Sequence, residues 1–451
     1  MNWQQILRLE LKNLLTGQAV LAGLLTIFLA GLYAIHHGEA IITAQQGVLD
    51  QAPERQSQHL TKMLTLHGHS DPLNALYYLN FFTGHAPSDY AAVSIGVRDV
   101  NPYNLKIRLL TLEGQLYDGE ISNPATLAAG NFDLSFLLIF LYPLLIIALL
   151  HNTLSSEVEQ GIWPLLISQR VSPRRLIAIK ALVRFLPVIA VWLATLLVAV
   201  IWLDLPLDRR LPLLTIASCA YLIFWFAIAA LIIRAGRSSN FNALAMLGIW
   251  LVLTILIPAM LNVLLARLLP VPEAFDVTIR QREGYHQQWD RPKGETMERF
   301  FQIYPEYRGF TAPADKFSWG WYYAAQHLGD AESEVASRAL RRKLDQRREW
   351  TDRVSWFIPT IGTQIALNRI AGTEFENHLS YLDSVRDYHE RLRHFFYRYL
   401  MTLSPGSIDW ESLPKQHAKR EQQLPRLPPT ALPLLLISVT AAVIAFQRRR
   451  Y

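Results

Sequence analysis

The 451 residues contain one cysteine, Cys219, and it lies in an apolar run. A lone thiol excludes an intramolecular disulfide and any cysteine-based zinc site. Charge is scarce as well, at 18% of residues, where soluble domains carry about 25%. No G-x-x-x-x-G-K-[ST] occurs, so no phosphate-cradling loop is present. H-E-x-x-H and G-x-S-x-G are also missing, which removes the metalloprotease helix and the nucleophile elbow. Accordingly no catalytic, cofactor-binding or metal-ligating residue is assigned.

What is abundant is apolar and aromatic: 51% hydrophobic residues, with 12 Trp and 18 Tyr. That composition fits a membrane protein with sizeable water-exposed parts. Six apolar runs have the roughly 20-residue length that a ~30 Å hydrocarbon core requires. They are 17–36, 132–152, 183–203, 212–233, 241–265 and 430–447. The first lacks an A-x-A-like end and is read as a retained span rather than a cleaved signal. None holds Asp, Glu, Lys or Arg well inside it. This argues against proton- or sodium-coupled carriage and against an intramembrane enzyme.

The net charge of +6 could point to nucleic acid, but its placement points to a membrane. Arg8 and Lys12 precede the first span. Arg170, Arg174, Arg175, Lys180 and Arg184 lie between the second and third. Arg234 and Arg237 separate the fourth and fifth, and Arg448 to Arg450 follow the sixth. The positive-inside rule puts both termini in the cytoplasm. The long connections 37–131 and 266–429 then lie outside.

In the first insert, "QHLTKMLTLHGHSDPLNALYYLNFF" has helical spacing, with HGH as a turn. "AAVSIGVRDV" and "LKIRLLTL" alternate as strands do. His36, His37, His59, His67, His69 and His85 cluster here. His59, Met63 and His67 have a four-residue spacing that copper or zinc could use. No carboxylate pattern supports a metal, and solvated or interface histidines are the simpler reading. The second insert is mainly helical, with a charged helix over 331–350. A longer amphipathic helix places Phe375, Leu379, Leu382, Val385, Leu392, Phe396 and Tyr399 on one face. That face is expected to be core, with a substrate lining as the alternative. "LPRLPPTALP" is a stiff lead-in to the last span. At the N-terminus, Trp3, Ile6, Leu7, Leu11, Leu14 and Leu15 share a face, with Arg8 and Lys12 beside it, as in an interfacial helix.

Between spans two and three stands "EVEQGIWPLLISQRVSPRRLIAIK". "GIWPLLI" is too short to span. Pro164 suits a first helical turn, and Trp163, Leu165, Leu166 and Ile167 would form an apolar ridge. Ser172 and Pro173 restart a helix. Arg174, Arg175 and Lys180 are expected at the lipid headgroups. As a plain loop it would need nothing more; as a short helix offered to a cytoplasmic partner it would transmit force.

This loop resembles the first cytoplasmic loop of ABC type-2 permeases, through Glu157 or Glu159, Gly161, Leu165, Leu166, Ser172, Arg174 and Lys180. Ile162 and Trp163 depart from it where Thr is commoner. "VSIGVRDVNP", "NPATLAAGNFDLSFLLIFLYPLLIIALL" and "TQIALNRIAGTEFENHLSYLDSVRDYHERLRHFF" extend the similarity to a subgroup with large inserts after the first and fifth spans. The resemblance implies an α-helical polytopic membrane protein with six transmembrane helices, a mixed α/β first insert and a mainly helical second one. The implied layout is an interfacial helix 1–16, a coupling loop 153–182 and a cytoplasmic tail 448–451. It implies a bacterial inner-membrane location, ATP and Mg bound by separate ATPase subunits, and a second permease chain as partner. It also admits a periplasmic partner and involves no nucleic acid. Glu157, Glu159, Gly161, Ile162, Trp163, Leu165, Leu166 and Ile167 would couple to the ATPase. Pro143 and Pro258 would be hinges in spans two and five. The rival reading is an envelope sensor or assembly scaffold that acts through its outside modules.

Overall fold

The computed structural model describes residues 3–69, 71–117, 131–168, 173–271, 289–313, 316–402 and 408–416, with Ile279, Glu283 and Gln287 besides. The expected sixth span 430–447, the tail 448–451 and the Pro-rich lead-in lie outside them. So do the side chains of Trp3, Ile6, Leu15, Leu166, Ile167, Arg174 and Arg175.

The chain is an α-helical membrane protein, 76% helical. Among the described residues, five helical runs are long and apolar enough to cross a bilayer: Gln18–His67, Leu134–Glu159, Ala178–Trp202, Arg210–Arg234 and Ser239–Leu268. α1 (Trp3–Thr16) precedes them. α2 (Gln18–Asp50) runs well past the expected end at 36, and α3 (Ala52–His67) follows after Gln51. Apolar content marks where hydrocarbon ends, not where a helix ends. Nothing in "HHGEAIITAQQGVLD" breaks a helix as strongly as Pro53, which sits in the first turn of α3.

α4 (Pro72–Tyr78) and α5 (Glu113–Tyr117) are short. α6 (134–150) contains a π-helical turn, Leu137–Leu141, just before Pro143. α7 (Ser155–Glu159), α8 (Trp163–Ser168), α9 (Pro173–Trp202) and α10 (Arg210–Arg234) follow. α11 (Ser239–Leu268) repeats the device, with a π turn at Val252–Leu256 just before Pro258. In each case the residue before the proline donates five back, Tyr142 to Leu137 and Ile257 to Val252. Proline has no N–H, so a carbonyl in that turn must find another donor in a medium without water. The Tyr221 hydroxyl of α10 donates to Ile139 O at 3.1 Å. Thr360 Oγ1 donates to Leu253 O at 2.6 Å.

The core between the spans holds Ile35, Leu137, Tyr142, Trp192, Tyr221 and Trp225. It also takes Leu367, Ile370 and Ala371 from α14 (Pro359–Ala371), a helix of the second insert wedged among the spans. Length and periodicity do not announce that wedge.

The two inserts build one lobe. β1 (Phe81–Gly84) and β2 (Asn104–Ile107) pair antiparallel, with Phe81 opposite Ile107. They pack with α12 (Lys293–Ile303), α13 (Trp319–Ser355) and α15 (Phe375–Leu400) around Leu76, Phe81, Ile107, Phe300, Tyr323 and Phe396. Leu379, Leu382, Val385, Leu392 and Phe396 of α15 are all buried, so the amphipathic face is core. Each such burial contributes about 1.5–3 kcal/mol. Two carboxylates tie the inserts together. Asp330 accepts from Leu112 N at 2.8 Å and pairs with Arg393. Glu113 takes Arg386 at 2.8 and 3.1 Å and the Ser337 hydroxyl at 2.6 Å.

The strand expected over 91–100 does not form. Ala91, Ala92, Val93, Ser94 and Ile95 are buried in succession, with no exposed alternate face, and Gly96–Asp99 is a 3-10 turn. Gly96 has φ +55° and sits so close to Thr373 that a Cβ would fall 2.5 Å from its carbonyl oxygen. Of "LKIRLLTL", only the first residues join β2.

Candidate functional site

After α6 the chain turns, forms α7, breaks at Gln160–Ile162 and restarts as α8. Gly161 makes the break with φ +71°, a left-handed conformation that other L-residues resist. A Cβ there would meet nothing within 4 Å, so the demand for glycine is conformational, not steric.

Glu157 and Glu159 stand two positions apart on α7 and serve different neighbours. Glu157 lies 2.5 Å from the Lys180 ammonium of α9. The same ammonium lies 2.6 Å from Glu10 of α1, and Arg184 approaches Glu10 at 3.7 Å. Two carboxylates and two cations thus balance in a site where Lys180 is only 4% exposed. Glu159 instead accepts the Ser239 backbone N–H at 2.7 Å and its hydroxyl at 2.9 Å. That is the N-terminus of α11, where unpaired N–H groups and the helix dipole favour an anion. Ser155 and Ser239 hydroxyls meet at 2.8 Å, and Asn242 Nδ2 donates to His151 O at 3.1 Å.

The base of the loop is therefore clamped to α1, α9 and α11. Its other side is apolar and open: Val158, Ile162 and Leu165 are exposed, Leu165 by 65%. Trp163 is half-buried and Pro164 exposed.

Of the residues expected at lipid headgroups, Arg8 and Lys12 are exposed on α1. Lys180 is buried, held within the protein by the two carboxylates. Pro143 is buried and Pro258 half-buried, each directly after a π turn. Glu10, Arg184, Ser239 and Asn242 complete the site without having been singled out as part of it. In the sequence Arg184 stands out only as one of the basic residues after the second span, and Glu10 is the one acid in the amphipathic α1.

Two of the histidines with metal-ligand spacing are occupied locally. His59 Nε2 accepts Asn80 N–H at 3.0 Å, and His67 stacks on Tyr78 at 4.0 Å. Among the described residues no three His, Cys, Asp or Glu side chains gather to hold a metal. A small cavity lies between the inserts, with His85, Arg98, Tyr103, Glu374 and His378 among its lining. Arg98 is buried and donates to Gln45 Oε1 at 3.0 Å and His85 O at 2.9 Å. Burial pushes His85 down to about 3 and His378 to about 4. Burial also pushes Glu374 up to about 7, and its Oε2 has no partner among the described residues.

Helices of this length and polarity define a membrane protein. The model of a family described as a domain of unknown function (DUF3526) matches residues 274–418, the stretch that carries α12 to α15. No curated protein and no solved structure matches the chain.

Proposed function

We propose that this chain is the transmembrane subunit of an ATP-driven, ABC exporter-type complex, and that α7 and α8 form its coupling element. The supporting observation is the division of labour in the loop. Glu157 and Glu159 anchor it to α9 and α11, while Ile162 and Leu165 are exposed and available to a partner. The chain has no phosphate-cradling loop of its own, so the ATPase belongs to that partner. The basic residues around the loop support a cytoplasmic position for it and for both termini, with the lobe outside. A second permease chain completes the complex by the family's architecture. Motion of α7 would reach α9 through Lys180 and α11 through Ser239, and the π turns before Pro143 in α6 and Pro258 in α11 would serve as hinges.

The test is co-purification from native membranes with an ATP-hydrolysing subunit. Gly161→Arg and Leu165→Asp are expected to weaken the association and lower the hydrolysis rate. If both remain unchanged in well-folded variants, the coupling role fails. If no ATPase accompanies the wild-type protein, the sensor or scaffold reading replaces the transporter.

A further inference from the structure

The lobe does not merely sit above the spans; one helical hairpin descends from it alongside α11. Two bonds set its depth. Arg347 Nε donates to Leu269 O at 2.8 Å, level with the lobe end of α11. Thirteen residues on, Thr360 Oγ1 donates to Leu253 O at 2.6 Å, near the middle of the same helix. Asp352 of α13 pairs with Arg369 of α14 at 2.7 Å, so the two arms run side by side and the turn between them is the deepest point. Leu253 stands fourteen residues from Ser239, about 21 Å along a helix rising 1.5 Å per residue. A ~30 Å hydrocarbon core that begins near Ser239 therefore ends ~9 Å beyond Leu253, on the lobe side.

The composition changes at that depth. The descending arm is charged as far as Arg353, whose guanidinium lies 5.4 Å from the Trp350 ring centre. Then come "WF" and "IP", with no charge until Arg369. Trp350 and Trp356 are exposed, and Phe357 is the most exposed large apolar side chain described, at 82%. A side chain left so open in water would be costly. The neighbouring α11 surface is itself open and apolar at Val252, Ile255 and Leu256. The tip thus continues an open apolar surface of α11.

We propose that the 350–358 tip is a lipid-seated foot of the lobe. Phe357 enters the acyl chains of the lobe-side leaflet, while Trp350, Arg353 and Trp356 lie in its headgroup layer, where aromatic and basic side chains prefer to sit. The occupant of this surface is bilayer, not a second protein. The inference needs only that α11 spans the membrane and is independent of any ATPase.

The experiment uses the full chain in phosphatidylcholine and phosphatidylglycerol vesicles with Cys219→Ser. Spin labels are placed at Phe357→Cys and, for comparison, at Val335→Cys, an exposed position higher on α13. Collision with oxygen, which concentrates in lipid, is compared with collision with a water-soluble nickel chelate. The expected oxygen-to-nickel ratio at 357 is several-fold above that at 335. Equal ratios would put the tip in water and overturn the proposal. Protection from both reagents would mean that protein covers the tip, and would overturn it equally. If Phe357→Cys does not fold, Trp356→Cys samples the adjacent layer under the same criteria.

Discussion

Lys180 donates to Glu10 at 2.6 Å across 170 positions of sequence, and holds Glu157 at 2.5 Å on the same ammonium. A displacement of α7 therefore cannot be silent in α1 or α9. Lys180→Met would leave two facing carboxylates without their shared cation. Breaking one side of such a buried pair costs about 3 kcal/mol. A clear fall in melting temperature in detergent is expected, partly restored by adding Glu157→Gln. Equal melting of wild type and Lys180→Met would mean the cluster is solvated.

Gly161 is a separate matter of backbone. Gly161→Ala meets no neighbour but must hold φ at +71°, which costs about 1–2 kcal/mol in an L-residue. Gly161→Asn, whose side chain tolerates that region, is expected to lose less. Comparing the melting of the two separates conformation from contact.

Thr360→Val removes the hydroxyl that satisfies Leu253 O while keeping shape. An unpaired carbonyl at membrane depth should destabilise by about 1–3 kcal/mol, and Thr360→Ser should not. Faster amide exchange across the Val252–Leu256 turn is the specific signature. An unchanged exchange pattern would show that the turn does not depend on α14.

Glu374 sets a pH dependence. Its folded value is raised by burial to about 7 from 4.5, so the native state binds the extra proton. Stability from this group falls as pH rises through 4.5 to 7 and levels off above. Shifts of this size correspond to about 3 kcal/mol at most. His85 and His378 are depressed by burial, so their contribution is lost as pH falls from 6.5 toward 4 and 3. Glu374→Gln is expected to raise melting at pH 8 and do little at pH 4.5. The opposite ordering would show that Glu374 is ionised and paired.

Much of the membrane part was legible in the residues, because an apolar run needs no knowledge of its neighbours. The face of α15 was legible for the same reason: Leu379, Leu382 and Val385 mark one side by spacing alone. The 91–100 segment misled because Val93 and Ile95 sit in a run buried without interruption from Ala91 to Ile95, where no exposed face alternates as in a strand. The Lys180 cluster was half visible: Glu157 and Lys180 stand in one loop, but Glu10 comes from another helix, and one sequence carries no sign of that meeting. Proline marked both π turns in advance; the donors that relieve them, Tyr221 and Thr360, come from elsewhere in the fold.

The Asp330 and Arg393 pair is fully inside the lobe and links α13 to α15. Asp330→Ala should destabilise by about 3–5 kcal/mol, by stranding a buried guanidinium. Replacing both partners, as Asp330→Leu with Arg393→Met, should cost far less than the sum of the single changes. Additive losses in that cycle would deny the coupling.

The shared core of the lobe also sets a timetable. Phe81 packs against Phe396 with ring centres 5.9 Å apart and tilted, and Thr83 meets the Tyr381 hydroxyl at 2.8 Å. The first insert is therefore made long before α15, which seals it. At ribosomal speeds of about 5–20 residues per second, the wait is on the order of 10–50 s. Throughout that interval the inner faces of β1, β2 and α4 have no partner, while the spans between the inserts are still being threaded into the bilayer. A nascent chain stalled before residue 375 would present those faces to chaperones and proteases as an unfinished half-lobe.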